Sequence, residues 1–179
     1  MLLVTALRAM RASDWPDVER IYGQGIADGE ATFETATPTW EAFDASRLSF
    51  GRLVALDDAA AVVGWVAASP VSAREAYRGV VEHSVYIARD ARGRGIGRLL
   101  LDAFIDATER EEVWTIQSSI FPENAASARL HELCGCRVVG HRERIARTGV
   151  GPRAGEWRNT LLIERRSRKV GADARDVDR

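Results

Sequence analysis

Three glycines and three arginines alternate within seven residues, Arg92-Gly93-Arg94-Gly95-Ile96-Gly97-Arg98. Glycines let successive backbone N–H groups converge with no Cβ in the way. The apolar repeat that begins at Ile96 reads as a helix, whose N-terminus adds unpaired donors and the positive end of its dipole. Arg92, Arg94 and Arg98 bring further positive charge. Such a segment suits the chemistry of holding a pyrophosphate.

Two common pyrophosphate binders do not fit. A dinucleotide fingerprint needs a third glycine where Arg98 stands, and an acid closing the next strand. A P-loop needs a lysine on the phosphates. Lys169 is the only lysine beside 24 arginines, and it lies in a charged terminal stretch. The same shortage removes pyridoxal-phosphate chemistry. No G-x-S-x-G elbow accompanies His83, His131 or His141, which disfavours a serine hydrolase. Cys134 and Cys136 flank Gly135 as a lone C-x-C, supporting neither a zinc site nor a disulfide framework. With no positive partner in sequence, both are expected to be inert thiols of a reduced protein.

The elements that must position this loop can be read from periodicity and turn residues. A strand is expected over 2–9, then a helix capped by Ser13 with Pro16 in its first turn. A glycine-rich break at Gly23, Gly25 and Gly29 follows, and Thr39 caps a second helix through Leu48. Apolar runs over 52–56 and 61–68, separated by Asp57-Asp58, predict a hairpin. Residues 79–87 read as a strand ending at the loop. Ile96, Leu99, Leu100, Ala103, Phe104 and Ala107 mark one helical face. A strand over 113–120, a helix over 124–134 and strands over 136–146 and 156–164 complete the order β-α-α-β-β-β-α-β-α-β-β. The pattern predicts an α/β domain, a mixed sheet with helices on its faces, over 1–165. Residues 166–179 are expected to form a charged, disordered tail.

The whole chain sets further bounds. Its 179 residues fit one domain with a real core, and 46% apolar with 28% charged residues is ordinary for a soluble protein. A formal charge of −1 gives no general pull toward nucleic acid or anionic lipid. No apolar run approaches the roughly 20 residues of a membrane helix, and no signal-peptide pattern opens the chain. A soluble cytoplasmic protein is expected, with neither nucleic-acid nor membrane partners.

With that strand before it and a strand-Asn-helix unit about 25 residues after it, the loop resembles the Arg/Gln-x-x-Gly-x-Gly/Ala signature of the GNAT acetyltransferases. Within that superfamily, several stretches resemble the phosphinothricin/methionine-sulfoximine acetyltransferase group. They are Ala73-Arg74-Glu75-Ala76-Tyr77, Val81-Glu82, Val85-Tyr86-Ile87, Arg129-Leu130-His131-Glu132, Gly155-Glu156-Trp157 and, loosely, Thr32-Phe33-Glu34-Thr35. The resemblance covers residues 2 to about 165. It implies a GNAT acyl-CoA N-acyltransferase fold with a partly split sheet, and acetyl-CoA as co-substrate without a metal. It further implies a small amino-acid-like amine acceptor and a homodimer. By it, Val85, Tyr86 and Ile87 pair with the pantetheine arm. Arg92, Gly93, Arg94, Gly95, Ile96, Gly97 and Arg98 hold the pyrophosphate, and Asn124 contacts the cofactor. Glu82 takes the general base's position, and Phe33, Arg74, Tyr77 and Trp157 border the acceptor.

The residues also allow plainer readings. Glu82 reads either as that base, acting through a water, or as a strand glutamate in a surface ion pair. His131 reads as a donor to the departing thiolate or as a core contact. Many superfamily members place a tyrosine in the acid's role, which leaves His131 or a nearby tyrosine here. They also place an aromatic residue where Cys136 stands. His83 adjoins Glu82, but successive strand residues point to opposite faces, so the two are not expected to line one site. Arg74 reads as a fork for a carboxylate or phosphinate, or as part of an exposed turn. The rival functions are acetylation of a protein N-terminus or an aminoglycoside, and a non-catalytic acyl-CoA sensor.

Overall fold

The computed structural model describes residues 6–171. Its strands are β1 (Ala6–Ala9), β2 (Leu53–Leu56), β3 (Val62–Pro70), β4 (Val80–Ile87), β5 (Thr115–Ile120), β6 (Arg137–Arg147) and β7 (Trp157–Arg166). Its helices are α1 (Trp15–Asp28), α2 (Trp40–Ser46), α3 (Ile96–Arg110) and α4 (Ala125–Leu133). The succession of strands and helices is the one read from the sequence. One sheet results, in the order β1-β2-β3-β4-β5-β7-β6. Neighbours run antiparallel except β4 and β5, which are parallel.

Strand alternation sorts the side chains onto two faces. Trp65, Ala67 and Ser69 of β3 lie opposite Tyr86, Ser84 and Glu82 of β4. This face is covered by α1 and α2: Tyr22 and Phe43 meet the Trp65 ring edge-on at 5.5 and 5.6 Å, and Tyr86 stacks on it at 4.8 Å. The other face carries Val66, His83 and Ile87 against α3, whose Leu100 and Phe104 are fully buried.

The sheet parts in its middle. β4 and β5 pair only at Val80↔Thr115, Val81↔Ile116 and Glu82↔Gln117. Beyond that point β4 stays with β3 as far as Ile87, while β5 stays with β7 as far as Ile120. Residues 83–87 therefore turn one backbone edge toward a gap, which is the split expected above.

Four expectations need correction or restriction. Ser13 does not cap α1; it lies in a short 3-10 turn over Ala12–Asp14, and Asp14 is the N-cap. The glycine-rich break does not end α1 at Gly23; the helix runs through Gly23 and Gly25 and stops at Gly29, whose φ is 68°. Gly25 is a packing glycine, because a Cβ there would stand 2.5 Å from the Tyr86 ring. At the far end, β7 continues to Arg166 and the chain through Gly171 folds back rather than leaving the domain. The Ser167 N–H donates to Trp114 O at 2.8 Å, and Arg165, Ser167 and Lys169 converge on Glu109. Burial would raise the Glu109 carboxyl, but those three donors hold it below the usual range. The first residues of the expected opening strand, 2–5, and the tail over 172–179 lie outside the described residues.

Candidate functional site

A cavity of about 1340 Å³ runs through the gap between β4 and β5. Because the sheet is open there, residues from both of its faces reach the same space. Glu82 comes from the α1 face and His83 from the α3 face, and both line the cavity. The alternation argument gives their directions correctly. Its consequence, that they cannot share a site, fails because the strand pairing ends beside them.

At one end the cavity meets the glycine-arginine loop. Gly93 and Gly95 have φ of 75° and 80°, left-handed values that favour glycine. A Cβ added at either would meet nothing within 4 Å, so the space above them is open. Gly95 is the N-cap of α3, so the helix's unpaired N–H groups face that space. Gly97 does something else: a Cβ there would stand 2.9 Å from Leu130 Cδ2, so it lets α3 and α4 approach. Val85, Tyr86, Ile87, Arg92, Gly93, Gly95, Ile96, Gly97, Arg98 and Asn124 all line the cavity. Arg94 does not; its guanidinium donates to Asp90 O at 2.6 Å, back along its own turn.

Two of these residues are also engaged in building the site. Arg92 and Arg89 grip the two oxygens of Asp28, at the end of α1, at 2.9 and 2.5 Å. Burial would raise that carboxyl, but the two guanidinium groups hold it below the usual range. Asn124 caps α4 by accepting from Ser127 N, and its amide nitrogen donates to Glu30 O at 2.8 Å. It ties α4 to the loop after α1.

Glu82 Oε2 accepts a hydrogen bond from Gln117 Nε2 at 3.0 Å. Among the described residues it has no ion pair. Behind the split lies a pair of buried imidazoles. His83 Nε2 and His131 Nε2 are 2.9 Å apart, while His83 Nδ1 faces Gln117 O at 3.0 Å and His131 Nδ1 faces Ser127 O at 2.7 Å. Two neutral rings carry two N–H protons for these three contacts. With both Nδ1 atoms donating to carbonyls, two lone pairs confront each other, and a third proton would complete the set. Burial opposes that charge. It drives His83 down to about 3, helped by His131, and it lowers His131 as well.

The cysteines carry no nucleophile. Burial raises the Cys134 thiol to about 12, with Asp102 adding to it, and burial raises Cys136 to about 11. Tyr22 and Tyr86, which line the cavity with ring centroids 4.9 Å apart, are also raised by burial and keep their phenolic protons.

The acceptor residues are only partly brought together. Phe33 lines the cavity, its ring meeting Phe121 at 4.9 Å. Arg74, Tyr77 and Trp157 do not. Arg74 and Tyr77 belong to an exposed one-turn helix, the Arg74 guanidinium over the Tyr77 ring at 5.6 Å. Trp157 opens β7 on the surface, under Arg147. The five-residue match at 73–77 thus forms a surface turn of the chain.

What anchors the start of the loop that carries Phe33 escaped sequence reasoning. Arg158 is fully buried, stacks on Phe121 at 4.1 Å, and reaches Gly29 O, Glu30 and Glu123 at 3.1, 3.3 and 3.2 Å. Burial would raise Glu123, but Arg153 and Arg158 hold it down at about 2. A lone arginine near the start of a strand whose middle is uncharged gives no sign of this in sequence.

With the geometry in place, three comparisons bear on it. A model of the acetyltransferase (GNAT) family matches residues 7–136. The chain is 32% identical over 167 residues to an L-methionine sulfoximine/L-methionine sulfone acetyltransferase of Pseudomonas paraeruginosa, covering 89% of this chain and 92% of the relative. It is 34% identical over 168 residues to a phosphinothricin N-acetyltransferase of Alcaligenes faecalis, covering 89% and 81%. The fold matches that of a phosphinothricin acetyltransferase from Sinorhizobium meliloti, solved in complex with acetyl-CoA, with a TM-score of 0.80 over 98% of both chains at 24% identity.

Proposed function

Since the chain belongs to the acetyltransferase (GNAT) family and is by that membership an N-acetyltransferase, we propose that it moves an acetyl group from acetyl-CoA to the amino group of a free L-amino acid. The acceptor we propose carries a second polar oxygen group, as phosphinothricin, methionine sulfoximine and methionine sulfone do. The observation that carries this reading is the parting of β4 from β5 at Glu82, next to the open glycine loop. It gives one continuous cavity an anion-binding end, a free strand edge and a carboxylate.

The residues suit the co-substrate. The open space above Gly93 and Gly95 leaves room for a pyrophosphate against the α3 N-terminus. The free edge of β4 offers backbone groups to a pantetheine amide, as an added strand would. Acetyl-CoA supplies an activated thioester. Glu82, through a water, takes the proton that an ammonium must lose before it can attack. A backbone N–H on the β4 edge polarises the carbonyl. The proton for the departing thiolate comes from Tyr86, which burial keeps protonated, because the one N–H of neutral His131 is engaged with Ser127 O. Phe33 packs on the acceptor's carbon chain. On this reading the protein works in the cytoplasm as a homodimer. Val138, Val139 and Ile145, exposed on edge strand β6, supply apolar surface for a second copy.

The test is a screen of free amino acids, their sulfone, sulfoximine and phosphinate analogues, peptides and aminoglycosides with acetyl-CoA, read by thiol release. Turnover of the analogues above every peptide is expected. Faster acetylation of peptide N-termini would refute the acceptor, and no thiol release with any amine would leave a sensor.

A further inference from the structure

Arg47 follows α2 and lines the same cavity as Glu82. Other arginines of the chain hold carboxylates: Arg8 grips Asp14, Arg92 grips Asp28 and Arg158 meets two glutamates. Arg47 holds none among the described residues. Its Nη1 stands 3.5 Å from Ser69 Oγ, at the limit of a hydrogen bond, and its Nε is buried without a partner. The Phe43 ring lies 5.3 Å from the guanidinium carbon. Among the described residues the chain thus leaves a buried Nε without an acceptor, which is costly, and the rest of the guanidinium, only half-buried, lines the cavity where an anion from outside the chain can reach it. Its charge also acts on the phenols of Tyr22 and Tyr86, which line the cavity with it.

The register says which group that is. Ser69 on β3 lies directly opposite Glu82 on β4, on the same face of the sheet. Directly opposed side chains start about 5 Å apart at Cβ. Arg47 therefore sits one side chain away from Glu82 without pairing with it, while Glu82 is held from its other side by Gln117. A ligand with a cationic group for Glu82 and an anionic group for Arg47, on adjacent atoms, completes both. An α-amino acid is that ligand, since its ammonium and carboxylate share one carbon. The second oxygen group lies several bonds farther along the side chain and is not the anion nearest the ammonium.

We infer that Arg47 binds the α-carboxylate of the acceptor and makes the enzyme select free amino acids over amines that lack a carboxylate. The inference rests on the function proposed above. The guanidinium fork suits a carboxylate, with two parallel N–H donors that lysine cannot reproduce.

The experiment pairs L-methionine sulfone with L-methionine sulfone amide, in which the α-carboxylate is neutralised. The wild-type enzyme is expected to favour the free acid by KM. Arg47→Met is expected to raise KM for the acid roughly 10- to 100-fold, the range of a charged hydrogen bond, with kcat and the acetyl-CoA KM little changed. KM for the amide should stay put, so the preference for the acid disappears. Arg47→Lys keeps a charge and should restore part of it. Thermal unfolding of each variant separates a folding defect from a binding one. An equal loss on acid and amide, or a preference that survives Arg47→Met, would overturn the inference and leave Arg47 as packing for Phe43. If wild-type enzyme acetylates neither compound nor any other free amino acid, the acceptor assignment beneath it fails too.

Discussion

Gly95 gives the sharpest test of the co-substrate end of the cavity. Its φ of 80° is costly for other residues, on the order of 1–2 kcal/mol. Domains are stable by about 5–15 kcal/mol, so Gly95→Asp and Gly95→Ala should both fold. Neither adds a clash, because the Cβ position is empty for 4 Å. The two variants share the backbone cost and differ by a charge. A carboxylate about 5 Å from one pyrophosphate charge costs about 1 kcal/mol in water-like surroundings and about 3 at an effective dielectric of 20. Gly95→Asp should therefore bind acetyl-CoA roughly 5- to 150-fold more weakly than Gly95→Ala, with the gap narrowing in high salt. Titration calorimetry measures the affinities, and thermal unfolding confirms that the two lose similar stability. Equal affinities for the Asp and Ala variants would mean that no anion sits above Gly95.

Glu82→Gln keeps the shape and the contact with Gln117 but cannot take a proton, so kcat should fall by roughly 10² to 10⁴ with acetyl-CoA affinity intact; near-normal rates from pH 6 to 9 would move the base elsewhere. The buried histidines predict an acid limb of stability. Folded His83 and His131 titrate below the unfolded value of 6.5, so their contribution is complete above 6.5 and is lost as pH falls, by at most about 1.4 kcal/mol per unit per ring. Denaturant titrations between pH 6.5 and 5, above the range of the depressed carboxylates, should show a shallower slope for His83→Asn, and equal slopes would refute the account. Arg158→Leu should destabilise by about 3 kcal/mol, the low end for breaking a buried pair because Glu30 and Glu123 are half-exposed. That corresponds to a fall of roughly 6–12 °C in Tm.

The parts of this molecule that were legible in sequence are those fixed by neighbours along the chain. The loop at 92–98 announces itself because glycine's conformational freedom and a helix start are both local, and Gly93 and Gly95 take the left-handed conformations that glycine permits. Gly23 and Gly25 misled for the same reason. Nothing local distinguishes a glycine that breaks a helix from one that lets Tyr86 press against it, since Tyr86 lies some sixty residues away. Arg158 and Asp28 are of this second kind, recruited by partners that only the fold brings near.

Glu82 and His83 show the limit most clearly. Alternation assigns them to opposite faces, and the structure agrees. Whether opposite faces mean separate sites depends on whether the next strand is there, and strand pairing is not written in either residue. Where β5 turns away to follow β7, the sheet stops being a wall. A carboxylate from one side, an imidazole pair from the other and a guanidinium one side chain beyond then converge on one space. An intact sheet would keep the same residues apart. The split thus opens a free strand edge and, with the same break in pairing, lets both faces supply side chains to the chemistry.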